Sequence, residues 1–335
     1  MRFYGYLFLC VCTITHSHYF LYPVASLHNG KTILFIKQNS KDNIELIIWD
    51  NTTKHAEKGL WSLFNPAGIQ ILPDETGFSF IDNGRLRIKY FDKRSPKTIE
   101  FDPYVYHIHT IHWINSLECY FSAKSTNNLF AVFHCCIDGT TYCLASDEQC
   151  HCMYPQKIQN QLFFIKKKPD KTWSIAQTYY DKNSSNPHIE IINFDNPIIF
   201  LQMVSEAEGF VIQHQKKIDP QQHIISFNYY YINKKHGKWS KKRLFSFEIP
   251  SFLLMSDNDR CLYESLLPLI PRIIDKTIYF VDSSKNQNNR LELFCFTKKT
   301  LKIKKILTKR SDRFSNLFVP IKCRTQFLYG GEICN

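Results

Sequence analysis

The chain repeats itself, and the repeat narrows its possible folds more than any single motif does. A turn-like pair containing Asp, Asn or Gly, followed by a short apolar strand ending in an aromatic, recurs at residues 29–36, 73–82, 115–121, 160–165, 208–212 and 275–281. A partial copy lies at 324–329. Phe35, Phe80, Phe121 and Phe164 stand 45, 41 and 43 residues apart, Val211 follows 47 later, and Phe280 a further 69. A second strand-like run follows each of the first six copies, at 44–49, 85–91, 129–133, 173–180, 224–230 and 291–296, with third runs at 97–101 and 301–307. Periods of about 40–50 residues fit one four-stranded sheet per repeat. A single such sheet cannot bury both its faces, whereas stacked copies cover one another. The pattern therefore predicts an all-β chain, a β-propeller of six or seven four-stranded blades with seven preferred. The strands at 33–35, 78–80, 119–121, 162–164, 210–212 and 278–280 are expected to line its axis. Pairing of the strand near Phe327-Leu328-Tyr329 with N-terminal residues is expected to close the ring. The 69-residue interval predicts either a loop inserted around Asn258 to Leu267 or one degenerate blade.

The stretch Pro73-Asp74-Glu75-Thr76-Gly77-Phe78-Ser79-Phe80-Ile81-Asp82, followed by Arg85-Leu86-Arg87-Ile88-Lys89-Tyr90-Phe91-Asp92, resembles the repeat of the TolB-type, WD40-like propellers. In that family a Pro-Asp-Gly turn opens the strand and a later strand ends near Asp. Ile274 to Asp282 is a second, looser match, and Trp49-Asp50 echoes the WD40 dipeptide once. The resemblance implies the fold and a habit of binding proteins. It does not extend to the separate domain that precedes the propeller in TolB itself.

The N-terminus reads as an address. Arg2 precedes the apolar run from Tyr4 to Ile14, and polar Thr15-His16-Ser17-His18 follows, the order of a secretory signal peptide. The run is too short for a stable membrane span, and cleavage is expected after Ser17. That gives residues 1–17 as signal peptide, residues 18–335 as the propeller domain, and a periplasmic or secreted protein. Of 12 cysteines, ten lie beyond this leader, and Cys135, Cys136, Cys143, Cys150 and Cys152 crowd one stretch. In an oxidising compartment such crowding predicts disulfides. A two-residue turn at Asp138-Gly139 would make Cys136 and Cys143 diagonal neighbours on one face.

Motifs for chemistry are sparse. Cys150-His151-Cys152 with His134 would be the sharpest metal reading, but the spacing is not that of a zinc site, so no metal ligand and no cofactor is expected. On a strand, His107 and His109 of His107-Ile108-His109-Thr110-Ile111-His112 would share a face. Gly-x-Ser-x-Gly, Walker and Gly-x-Gly-x-x-Gly motifs are missing from the sequence, which has only 11 Gly. Asp74, Asp82, Glu118, Glu208 and Asp275 sit near strand ends where a propeller funnel gathers residues, and a carboxylate pair there is the signature of a glycoside hydrolase. Turn Asp more often bonds its own backbone. The net charge of +12 includes a run from Lys298 to Arg313. Leu301, Ile303 and Ile306 interleave with it, as on an outer strand guarded by Lys, so no nucleic-acid partner is expected. The reading is an exported, non-enzymatic, monomeric β-propeller that binds a protein or glycan partner through its loops. The alternative is a propeller-type glycan-active enzyme using funnel carboxylates.

Overall fold

The computed structural model describes residues 19–27, 32–38, 43–50, 55–64, 67–82, 85–92, 94–101, 105–179, 188–215, 224–250, 272–274, 277–282, 290–297, 302–310, 321–323, 326–328 and 331–333. Regular structure among them is β throughout. Strands β1 (Tyr19–Leu27), β2 (Thr32–Gln38), β3 (Asn43–Asp50) and β4 (His55–Phe64) pair in sequence order, each antiparallel to the one before. The same meander recurs in β5 (Ala67–Ile71), β6 (Gly77–Asp82), β7 (Arg85–Tyr90) and β8 (Lys97–Ile99). It recurs again in β9 (Tyr106–Asn115), β10 (Glu118–Lys124), β11 (Phe130–Cys136) and β12 (Thr141–Ala145). Next come β13 (His151–Ile158), β14 (Gln161–Lys167), β15 (Trp173–Tyr179) and β16 (Ile189–Phe194), then β17 (Ile198–Ser205), β18 (Glu208–His214), β19 (Ile224–Lys235) and β20 (Lys238–Pro250). The last four-stranded sheet is β21 (Arg272–Ile274), β22 (Thr277–Asp282), β23 (Arg290–Thr297) and β24 (Lys302–Arg310). β25 (Ile321–Cys323) pairs with β26 (Gln326–Leu328), and β27 (Gly331–Ile333) joins the edge of β1. The four sheets between Ala67 and Phe247 form one compact unit, while β1–β4 and β21–β27 belong to another.

The repeat seen in the sequence is the second strand of each sheet: β2, β6, β10, β14, β18 and β22. Flanked on both sides, it is apolar on both faces, and in β10, β14 and β18 five consecutive residues are buried. A strand of that kind belongs inside a sheet that is itself covered on both faces. In the 67–247 unit the first strand of a sheet packs against several strands of the sheet before it: β9 against β5 and β7, β13 against β9, β10 and β11, and β17 against β13 and β14. β18 and β22 are second strands of consecutive sheets, so the 69-residue interval holds no further sheet among the described residues, and residues 258–267 lie outside them. At the C-terminus, residues 326–328 pair with β25 rather than with the N-terminal strand. The partners of β1 lie further on, in Tyr19↔Ile333, Phe20↔Glu332 and Leu21↔Gly331. The predicted leader, residues 1–17, lies outside the described residues.

One turn recurs four times, at 72–76, 125–129, 136–140 and 168–172. An N–H donates to the carbonyl three residues back, from Glu75 to Leu72, Asn128 to Ser125, Gly139 to Cys136 and Lys171 to Lys168. That fourth residue is left-handed, with φ of 57° at Glu75, 62° at Asn128, 97° at Gly139 and 65° at Lys171. The residue before it is Asp or Asn, whose Oδ1 accepts the N–H two residues on: Thr76 on Asp74, Leu129 on Asn127, Thr140 on Asp138, Thr172 on Asp170. This is a type I turn closed by a bulge, a three-residue hairpin connection.

Consecutive sheets of the 67–247 unit face the same way. The β5–β6 turn meets the β9–β10 turn through an Asp74–Ser116 side-chain hydrogen bond. At the opposite end of the next pair, the Phe130 N–H donates to His151 Nδ1 at 3.2 Å. Phe163 and Trp239, both near hairpin turns, meet edge-on at 6.3 Å between centroids. Polar ties fix the heights. Gln70 Nε2 donates to the Ile111 carbonyl, and Trp113 Nε1 donates to Ser79 Oγ at 2.7 Å. Gln156 clamps β17 twice, donating to the Leu201 carbonyl at 2.7 Å and accepting the Met203 N–H at 2.6 Å. Between these ties the sheets share apolar clusters, one around Leu86, Ile111, Phe121 and Phe133, another around Phe163, Ile175, Leu201 and Val211.

Candidate functional site

Each sheet has two ends. One, here called the hairpin end, carries the turns from first to second strand and from third to fourth. Among the residues whose side chains are described, which fall almost wholly within 70–248, every large exposed hydrophobic sits at or near that end of three consecutive sheets: Ile114, Leu117 and Tyr142 in β9–β12, Tyr179 and Ile189 in β13–β16, Val204 in β17. The register shows it. Leu117 lies in the β9–β10 turn, Tyr179 opposes Gln161 at the start of β14, Ile189 opposes Gln177, and Val204 precedes the β17–β18 turn. Leu117 is 62% exposed and Val204 54%. The same end carries Lys234, Lys235, His236 and Lys238, all exposed on the β19–β20 hairpin, whose tip His236-Gly237 has φ of 48° and 78°. An apolar set with a basic flank is thus presented on rigid hairpins.

Beside it lies a cluster of metal-ligating side chains: one ligand atom each from Glu118, His134 and Cys136 lies within 4.8 Å of the others. Glu118 opens β10 and faces Cys136, the last residue of β11, while His134 is two residues from Cys136 on the same face. His134 Nε2 stands 3.8 Å from Glu118 Oε1, with the imidazole fully buried and the carboxylate partly open. Tyr120 and Tyr142 pack their rings against His134. Sequence spacing hid this group, since its members are brought together by strand pairing.

Turn chemistry also redistributes the cysteines. The connection from β11 to β12 is the three-residue turn Ile137-Asp138-Gly139, with the Cys136 N–H donating to the Thr140 carbonyl. The pairs become Cys135↔Thr141 and Phe133↔Cys143, one residue out of the expected register. A one-residue slip exchanges the two faces. Cys136 and Cys143 therefore lie on opposite faces, a correction to their expected proximity, and Cys136 sits with His134. Cys119 and Cys135 instead face each other directly on β10 and β11 and share a thiol hydrogen bond. That bond, together with burial, raises the Cys119 pKa well above the ordinary thiol value. None of Cys119, Cys135, Cys136, Cys143, Cys150 and Cys152 is in a disulfide.

Cys150, His151 and Cys152 do not join His134. Cys150 and Cys152 flank a buried ion cluster in which Lys166 Nζ lies 2.8 Å from Asp147 Oδ2 and 3.4 Å from Glu190 Oε1. His188 Nε2 is 3.1 Å from the same ammonium, and Lys168 reaches Glu190 at 2.7 Å. Burial opposes ionisation of Asp147. Hydrogen bonds from Lys166, the Gln149 N–H and Cys150, with the Lys166 charge, outweigh it and hold the carboxyl far below the usual range. Burial and the Asp147 charge push the Cys152 thiol up to about 12, so it is inert as a nucleophile.

The other singled-out residues fall as follows. His107 is exposed with φ 51°, at a register irregularity of β9, so the alternation that would align it with His109 is broken. The side chain of His109 lies outside the described residues, and His112 is exposed. Asp74 holds its own turn, Asp82 pairs with Arg87 at 2.9 Å, Glu118 joins His134, and Glu208 opens β18 opposite Asn233. Asp275 lies outside the described residues. Lys302 to Arg310 form β24, the last strand of its sheet, as the interleaved apolar residues predicted.

No family model and no curated protein matches the chain. Solved structures do. A prolyl endopeptidase superposes with a TM-score of 0.56 at 9% identity, over 88% of this chain and 42% of its own. A puromycin-hydrolyzing peptidase of Mycobacterium tuberculosis gives 0.55 at 10% identity, over 86% and 45%. A TolB-like protein of Agrobacterium tumefaciens gives 0.47 at 11% identity, over 80% and 90%. This chain spans less than half the length of either peptidase. At such identities the likeness to them is one of fold alone: an all-β, propeller-type fold of four-stranded antiparallel sheets.

Proposed function

We propose that this chain is an exported β-propeller of six or seven blades that binds a protein partner through the hairpin end of its sheets. One observation carries the reading: within the 67–247 unit, all six large exposed hydrophobics among the described side chains gather at that end, next to the basic β19–β20 tip. Exposed apolar side chains concentrated on one surface mark interaction sites, and loops held on a rigid scaffold are where binding concentrates. The lysines give the surface a preference for an acidic partner. In this reading β27 on β1 is the closure of the ring, and residues 1–17 are removed on export. The oxidising compartment so reached places one disulfide first, Cys119–Cys135: two thiols lose two electrons and two protons to a disulfide oxidoreductase and become one S–S bond.

The test is site-specific photo-crosslinking in the native host. A crosslinker replacing Leu117 or Val204 is expected to capture a discrete partner, and one replacing Asn127, at the opposite end, is not. Capture only from position 127 would reverse the assignment. Mature protein beginning near His18 to Ser26 is expected by mass spectrometry, and cytosolic protein with an intact Met1 would remove the export claim.

A further inference from the structure

We propose that Glu118, His134 and Cys136 form a binding site for a thiophilic divalent cation of the zinc type. The donor set is mixed: a carboxylate oxygen, an imidazole nitrogen and a thiol sulfur, the ligands a zinc ion takes in its three-ligand sites. Bonds of about 2.0–2.3 Å place tetrahedral ligand atoms roughly 3.3–3.8 Å apart. His134 Nε2 and Glu118 Oε1 already stand at 3.8 Å, and no separation within the trio exceeds 4.8 Å. Closing the set takes side-chain movements of about 1–1.5 Å at most.

The fold fixes these donors independently. Register places Glu118 across from Cys136 at the end of β10 and β11. Buried His134 is wedged between two tyrosine rings, Tyr120 at 5.5 Å and Tyr142 at 6.1 Å between centroids. Its ring is therefore held before any ion arrives, the preorganisation a site needs. Asn115 Nδ2 lies 3.4 Å from the other carboxylate oxygen, Oε2, leaving Oε1 to face the imidazole. Three protein donors leave a fourth position, and Glu118 is on the open side of the cluster, so that position faces solvent at the hairpin end. Binding is coordination without redox change: the Cys136 S–H proton passes to solvent as the S–metal bond forms, so affinity falls in acid.

Cobalt(II) titration of the full chain, reduced and metal-free, is the direct probe. One equivalent is expected to give a thiolate-to-cobalt charge-transfer band in the near ultraviolet with tetrahedral d–d bands in the visible, all displaced by zinc. Cys136→Ser is expected to abolish the charge-transfer band, and Glu118→Gln to weaken binding roughly 10-fold or more. Cys143→Ser, on the opposite face, should change neither. Circular dichroism of Cys136→Ser separates loss of the site from loss of the fold. A folded wild type that yields no such band, or a band that survives in Cys136→Ser, overturns the proposal.

Discussion

Glu75 occupies the left-handed position of the Pro73-Asp74-Glu75 turn with φ 57°, where a glycine would sit without strain. A non-glycine residue there costs on the order of 1 kcal/mol. Glu75→Gly is therefore expected to stabilise the chain by about 0.5–1 kcal/mol, the gain being trimmed by glycine's greater unfolded-state entropy. Denaturant titration checks the sign. Gln156→Ala should act the other way. Its amide serves both Leu201 O and Met203 N, and cutting it leaves two partly buried backbone groups unmatched, for about 1–3 kcal/mol. The turn aspartates were legible in the sequence because Asp followed two residues later by Thr is a local device. The polar residues of the first strands were not. Gln70, His112, Gln156 and Gln202 each oppose the third residue of a second strand, at intervals of 42, 44 and 46, yet a polar residue on a first strand looks like an ordinary exposed one until the neighbouring sheet is known.

At the level of strands and turns, the β12–β13 connection is held to the β13–β16 sheet by the Asp147–Lys166 pair, whose side chains are 18% and 11% exposed. Asp147→Asn removes one charge and leaves Lys166 buried with Glu190 alone, which is expected to cost about 3 kcal/mol. The folded-state pKa of Asp147 is depressed, so its contribution is fully present above the unfolded value of about 3.9 and fades as pH falls below it. Wild-type stability should therefore drop more steeply than that of Asp147→Asn between about pH 5 and pH 2. Equal slopes in urea melts across that range would refute the assignment. Second strands were readable from sequence because burial on both faces writes an uninterrupted apolar run. Face assignments were not, since they depend on turn length: Cys136 and Cys143 illustrate a correct hairpin with the wrong register.

For the whole molecule, if the ring proposed above is closed, its sheets depend on their neighbours for cover, and loss of a terminal strand should be felt beyond its own hydrogen bonds. Removing residues 318–335 takes away β25, β26 and β27 and bares the edge of β1. A closed ring predicts that this deletion abolishes the cooperative thermal transition of the entire chain, followed by far-ultraviolet circular dichroism. Retention of wild-type melting would defeat closure. The period of the sequence announced the number of strands per sheet. The strand that pairs with β1 lies a few residues beyond the one expected, because Gln326-Phe327-Leu328 and Gly331-Glu332-Ile333 are both short and only their pairing distinguishes them.

The turn Ile137-Asp138-Gly139 has a consequence for how this chain can vary. In a hairpin the length of the turn sets the register of the strands it joins. Shortening this turn by one residue would slide β12 against β11 and trade the contents of two faces, bringing Cys143 level with His134 and beside Cys136. The length of this turn therefore decides which cysteine stands beside His134, and Gly139 is fixed as well, since a Cβ there would meet the Glu100 carbonyl oxygen at 2.9 Å.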